Sequence, residues 1–154
     1  MPTRYRKTGF VLDSMLKYGV IYRTAAAVTI AKGDVLHDNG SGLATNAITE
    51  FADTFLGVAA ADCAASGTVA IIPPSPDYRW IVCNSGSTIL ATSDIGEIVD
   101  LEEVNNIDSS DTDVVGWGFQ IDEIDISAEA LAADGEAATA GGFCHGHFVK
   151  KATG

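Results

Sequence analysis

The residue types best able to do chemistry gather near the end of the chain, in Cys144-His145-Gly146-His147. In an extended strand successive side chains point to opposite faces, so His145 and His147 share one face and Cys144 takes the other. Two imidazoles in that arrangement could share a zinc ion, but zinc sites draw on three or four protein ligands. Only His37 remains as another histidine, and Cys63 and Cys83 show no paired ligand spacing. The acidic run Asp108-Ser109-Ser110-Asp111-Thr112-Asp113 lacks the alternating acids, central glycine and closing glutamate of a calcium loop. Asp34, His37 and the serines could be arranged on paper as a triad, yet no Gly-x-Ser-x-Gly elbow presents a nucleophile. Gly40-Ser41-Gly42 is not followed by the Lys-Ser/Thr pair and helix of a phosphate loop. Asp122, Glu123 and Asp125 read as solvated surface. The expectation is a protein with no catalytic residues, no metal site and no cofactor, and so not an enzyme.

Charge narrows the partners. The formal net charge of the 154-residue chain is −12. Such a field repels nucleic-acid phosphate and anionic membrane surfaces, so neither is expected as a partner. The charge is unevenly spread. Arg4, Arg6, Lys7, Lys17 and Arg23 face only Asp13, leaving the first 23 residues at +4 and the remainder at −16. Tyr5, Phe10, Tyr18 and Tyr22 are interleaved with these cations. Residues 1–24 therefore read as an N-terminal arm with little core of its own, ordering on an acidic partner or a neighbouring copy. Three widely spaced cysteines are no disulfide framework and suit a reducing compartment. No apolar run approaches the ~20 residues of a membrane-spanning helix, and the N-terminus lacks the apolar core of a signal peptide.

The elements that must position these residues are β-strands. Phe55-Leu56-Gly57-Val58-Ala59 and Thr68-Val69-Ala70-Ile71-Ile72 are apolar runs of strand length, separated by a link that ends at Gly67. Ala25–Ile30, Asp34–His37, Tyr78–Cys83, Val114–Ile121 and Gly142–Val149 read as further strands. Asp38-Asn39-Gly40-Ser41-Gly42 is a hairpin turn, since Asn and Gly accept positive φ. Pro73-Pro74-Ser75-Pro76 interrupts pairing and marks a rigid crossing or a sheet edge. Residues 105–113 read as an acidic loop, and Ser127 could cap a short helix reaching Leu131 and Ala132. Trp117 and Phe119 are expected near the core, and residues 150–154 as a frayed tail.

These strands read as one unit used twice. Gly33-Asp34-Val35-Leu36-His37 matches Gly96-Glu97-Ile98-Val99-Asp100. Phe55-Leu56-Gly57-Val58-Ala59 matches Val114-Val115-Gly116-Trp117-Gly118, and the stretch from Gly67 matches the stretch from Gly142. An insertion at 121–141 separates the last two elements of the second copy. The fold expected is all-β: a compact, barrel-like domain over residues 25–149 with an internal duplication, an extended N-terminal arm and at most one short helix.

The words Lys32-Gly33-Asp34-Val35-Leu36, Leu56-Gly57-Val58-Ala59 and Gly67-Thr68-Val69-Ala70-Ile71-Ile72, with Gly96-Glu97-Ile98-Val99 and Val115-Gly116-Trp117-Gly118, resemble the β-tulip capsid decoration (cementing) proteins of tailed bacteriophages. The resemblance implies a structural virion protein, assembled in the host cytoplasm. It would bind the outer surface of an expanded icosahedral capsid as trimers at three-fold positions. Its partners would be the major capsid protein, the other subunits of its homotrimer and neighbouring decoration subunits. On that reading Arg4, Arg6, Lys7, Lys17 and Arg23 would meet capsid carboxylates, while Tyr5, Phe10, Tyr18 and Tyr22 would anchor in pockets. The alternatives are another virion subunit, of the tail tube or a head-fibre base, a small zinc hydrolase built on His145 and His147, or a carbohydrate-binding module stacking sugars on Trp80 and Trp117.

Overall fold

The computed structural model describes residues 9–12, 18–84, 89–126 and 141–151. The described residues form an all-β fold of two antiparallel sheets. In chain order the strands are β1 (Val11–Leu12), β2 (Ile21–Thr24), β3 (Val35–Asp38), β4 (Ala44–Thr45), β5 (Phe55–Ala59), β6 (Thr68–Ile72), β7 (Trp80–Cys83), β8 (Ile98–Glu103), β9 (Asn106–Asp108), β10 (Trp117–Asp125) and β11 (Phe143–Lys150). One sheet has the order β2-β6-β5-β3-β4, and the other β1-β7-β11-β10-β8-β9. The proline-rich segment carries the chain from β6 to β7, from one sheet to the other.

The duplication is visible strand by strand. Leave β1 aside, and the second order is the first with β2 to β6 replaced by β7 to β11. Register agrees as well. His37↔Thr45 and Asp38↔Ala44 in the first half correspond to Asp100↔Asp108 and Leu101↔Ile107 in the second. Tyr22↔Ala70 corresponds to Ile81↔His145. Backbone bonds outside the ladders repeat too: Gly33 N to Ala59 O becomes Gly96 N to Ile121 O, and Ala25 N to Gly67 O becomes Asn84 N to Gly142 O. Gly33 and Gly96 both sit at positive φ, 93° and 92°, where glycine alone is unstrained.

Each sheet curls until its edges meet at one end. A parallel bridge joins Ala25, just past β2, to Ala44 of β4, and the equivalent bridge joins Asn84 to Ile107. The concave side of the first curl holds Ala25, Ile30, Leu36, Ala44, Ala59, Cys63, Val69 and Ile71. The second curl puts Val99, Leu101, Ile107, Phe119, Ile121 and Cys144 at the corresponding positions. Its interior is continuous with the outer face of the first sheet through Val35, Phe55, Val58, Ile72 and Phe148. Phe148 is the hub, with ring centroids of Phe10, Phe51, Phe55, Trp80 and Phe119 within 5.9 Å.

Several local expectations change. Ala25–Ile30 is no continuous strand; only Ala25 and Ile30 make bridges, to Ala44 and Cys63. Within the 105–113 loop, Asn106–Asp108 pairs with β8 as a hairpin. The second repeat element is matched in sequence on its glycine, but the ladder aligns Gly57 with Phe119, three residues beyond Gly116. Hydrogen-bond register, not the glycine, defines equivalence. Residues 121–125 of the expected insertion extend β10, and Lys150 of the expected tail ends β11. The expected helix at Ser127 lies outside the described residues.

Phe10 and the strands around it correct the reading of 1–24 as a detached arm. Phe10 is 4% exposed and packs edge-on to Phe119, with ring centroids 5.4 Å apart. Gly9 N donates to Asn105 O and Phe10 N to Gly33 O. Val11 and Leu12 pair with β7, and Ile21–Thr24 with β6. A buried aromatic with bonded flanking amides belongs to its own core. Arg4, Tyr5, Arg6, Lys7 and Lys17 lie outside the described residues.

Gly57 tests the tight contact between β5 and β6. Its φ is +142°, and a Cβ there would stand 2.1 Å from Ile72 O. Gly40, at φ +92°, has open space around it. Gly57→Ala is expected to cost at least about 3 kcal/mol, because strain and a backbone clash add, and Gly40→Ala about 1 kcal/mol from strain alone. Urea unfolding of both variants measures the difference; equal losses would contradict the packing described.

Candidate functional site

The outer face of β11 carries the histidine pair. Phe143, His145 and His147 alternate with Cys144 and Phe148, and the latter two point into the core. The shared face expected for His145 and His147 is therefore present. A bulge in β10 between Ile121 and Glu123 turns Asp122 toward this face. Asp122 Oδ2 lies 2.8 Å from His147 Nδ1, both side chains about a quarter exposed. His145 is nearly buried, opposite Ile81 on one side and Glu123 on the other. Among the described residues no three His, Cys, Asp or Glu side chains converge as metal ligands. The Asp122 carboxylate orients one imidazole, which is half of a general-base pair. Metal analysis of protein purified without chelator is expected to give well under one zinc per chain; a full equivalent would revive the hydrolase reading.

The other chemistry-bearing groups are engaged in holding backbone. Asp34 Oδ2 accepts from Ala31 N and from Asn46 Nδ2, both at 3.0 Å, so it braces the turn before β3. Asp38 Oδ1 accepts from Gly40 N and Gly42 N, and these bonds hold its carboxyl below the usual range. Asp108 and Asp111 accept from Ser110 N and Asp113 N, each closing its own turn. The acidic run thus uses its oxygens locally. Cys63, Cys83 and Cys144 are buried and form no disulfide, and burial pushes the Cys144 thiol well up. Trp80 is 1% exposed and Trp117 packs on Phe55 at 5.3 Å, so the indoles are core rather than a sugar platform.

Two buried ionisable groups occupy equivalent places in the two halves. His37 on β3 corresponds to Asp100 on β8. Asp100 Oδ1 accepts from Phe51 N and Leu101 N at 2.8 and 2.7 Å, tying the second half to a loop of the first. Desolvation nevertheless raises its carboxyl above the usual value. His37 is fully buried beside Phe55, and neither ring nitrogen has a partner. Burial lowers its pKa from 6.5 to about 4.

The arm residues within the described chain divide into three kinds. Phe10 is core, as above. Arg23 Nη1 bonds Asp38 Oδ2 at 2.7 Å and is only partly exposed. Tyr18 and Tyr22 are exposed, at 46% and 72%, and Ile21 joins them at 41%. Sequence reading picked out the tyrosines but missed Ile21. The signal available was its place beside Tyr22 in the same aromatic segment. This edge patch, on a chain whose remainder is strongly acidic, is the most conspicuous candidate binding surface.

No protein-family model matches this sequence, and no curated protein matches it.

The His37 geometry has a pH signature. The ring is neutral in the fold and titrates at 6.5 when unfolded, so the unfolded chain binds more protons between pH 6.5 and 4. The stability it contributes is present above pH 6.5 and lost as pH falls to about 4, in total about 3 kcal/mol. Asp100, with its raised pKa, acts in the opposite direction at the acid end. His37→Leu is expected to be as stable as the wild type or more so at pH 7, since two unpartnered nitrogens are removed. It should also flatten the loss between pH 6.5 and 4. Denaturant titrations across that range check both; an unchanged slope would refute the assignment.

Proposed function

We propose that this chain is a structural protein of a tailed-phage virion, a capsid decoration protein. It binds the outer surface of the expanded icosahedral head as trimers at three-fold positions and stabilises it. The chemistry of adhesion, not of turnover, accounts for its composition. The observation that carries the reading is the pairing of an exposed aromatic edge, Tyr18, Ile21 and Tyr22, with a charge split of +4 over residues 1–23 and −16 beyond them. A like-charged body stays soluble until it meets a specific surface. Cationic and aromatic residues at one end then supply the contact. The resemblance to the β-tulip decoration proteins supports the same reading, as does a β fold in which Asp38, Asp108 and Asp111 close their own turns. Trimers make each weak contact count three times over, because a second contact forms at high effective concentration once the first is made.

Phe10 and β1 belong to the fold, so the adhesive part tested here is residues 2–8, with Arg4, Tyr5, Arg6 and Lys7. Deleting 2–8 leaves Phe10 in its core. Occupancy on expanded heads, titrated by pelleting, should then fall at least about tenfold in apparent affinity while the melting temperature holds. Unchanged occupancy would remove the arm from the mechanism. Failure of the intact chain to bind any expanded head would remove the virion reading.

A further inference from the structure

The internal repeat exposes a difference between its two halves. Beyond the closing bridge at Asn84, the outer edge of β7 is covered: Val11 and Leu12 of β1 pair antiparallel with Ile81 and Trp80. The equivalent residues in the first half are Tyr22 and Ile21, by the shared register of β2 on β6 and β7 on β11. There no described strand pairs beyond β2, which is the edge of its sheet. The exposures follow the cover. Trp80 and Ile81 are 1% and 3% exposed, whereas Ile21 and Tyr22 are 41% and 72% exposed.

Backbone alternation says which groups face outward. Ala25 N bonds Gly67 O, so Ala25 turns its amide inward toward the β6 side. Successive residues of a strand alternate, which turns Arg23 and Ile21 inward with it and sends the amides of Tyr22 and Thr24 and the carbonyl of Tyr22 outward, while the Thr24 carbonyl faces Ala44 at the closing bridge. Ile81, equivalent to Tyr22, uses the same outward groups toward Val11. Open edges are normally guarded by charge, proline or shortness. The sheet's opposite edge, β4, is only two residues long. β2 is longer, and its one charged side chain, Arg23, is held by Asp38.

We propose that the open edge of β2 is a strand-addition site that takes an extended segment of another protein chain, antiparallel across Ile21–Thr24. The occupant carries two successive apolar residues, as β1 does at the matching position, and is basic. Basicity follows from charge. The chain carries −12 overall, so a thin cationic segment meets the acidic body favourably. Main-chain bonds to Tyr22 and Thr24 give register, and the Ile21 and Tyr22 side chains, on opposite faces, grip the apolar pair from both sides. This site stands whether or not the chain decorates a capsid, because it rests on the repeat alone.

The probe is a labelled peptide with the sequence of residues 4–12, Arg-Tyr-Arg-Lys-Thr-Gly-Phe-Val-Leu, titrated into the full-length protein by fluorescence anisotropy. Saturable binding is expected, and Tyr22→Pro should weaken it at least about tenfold. Proline there removes an outward amide without touching the ladder to β6, so thermal melting should match the wild type. Replacing the three arginine and lysine positions by glutamate in the peptide should weaken binding by a similar factor. Hydrogen exchange on the wild type should show the Tyr22 and Thr24 amides newly protected by the peptide, and it decides the matter even if the proline variant does not fold. No binding, binding unchanged by Tyr22→Pro, or protection confined to the β7 edge overturns the proposal. So does wild-type self-association that Tyr22→Pro abolishes without any peptide binding, since the occupant is then a second copy's edge.

Discussion

The structure depends on two bridges, Ala25 to Ala44 and Asn84 to Ile107, that bring the edges of each sheet together at one end. Closing a sheet in this way satisfies edge amides and fixes which face becomes interior. Once β2 meets β4, Leu36, Ala59, Val69 and Ile71 must point inward, and their alternating neighbours outward. The same closure in the second half directs Val99, Phe119, Ile121 and Cys144 inward. The two bridges differ in chemistry. Ala25 contributes a small apolar contact, whereas Asn84 is a buried polar residue. Asn84 Nδ2 donates to Ser109 Oγ, and Ser109 N donates to Asn84 Oδ1, both at 3.0 Å. A reciprocal pair of this kind is satisfied on both sides, so it specifies the closure without leaving buried groups orphaned.

The halves are alike in ladder and unlike in filling. The first interior is purely aliphatic apart from Cys63 and holds no aromatic ring. The second is larger and shares its apolar filling with the outer face of the first, through a cluster of rings around Phe148. The chain is thereby one packed body rather than two beads. Phe10 enters that cluster from the N-terminal side, which anchors the start of the described chain at the junction. His37 and Asp100 mark the same junction from equivalent strands. The acid is hydrogen-bonded across it; the imidazole is enclosed by apolar neighbours and stays neutral.

This arrangement places the polar chemistry in supporting roles. Asp34, Asp38, Asp108 and Asp111 hold turns, and Asp122 orients His147. The β2 edge presents backbone together with the exposed Ile21 and Tyr22 side chains. Binding through a strand edge asks for little beyond a fixed register and accessible amides. A duplicated sheet supplies both, because one copy's edge is filled by β1 and the other copy's is paired by no described strand.

The amino-acid sequence by itself determined the class of fold, most strand positions and the existence of a repeat. Apolar runs of strand length, the Asp38 to Gly42 turn and the proline crossing carry local information, and local information survives without coordinates. It also determined the face shared by His145 and His147, since alternation is a property of any strand. Only tertiary structure decided the register of the repeat, because pairing is set by hydrogen bonds between distant strands and not by recurring glycines. Only it decided that Phe10 is core while Tyr22 is surface. Both are aromatics in one basic, aromatic segment, but Phe10 packs among the rings of Phe119 and Phe148 while Tyr22 lies on a strand edge that no described strand covers.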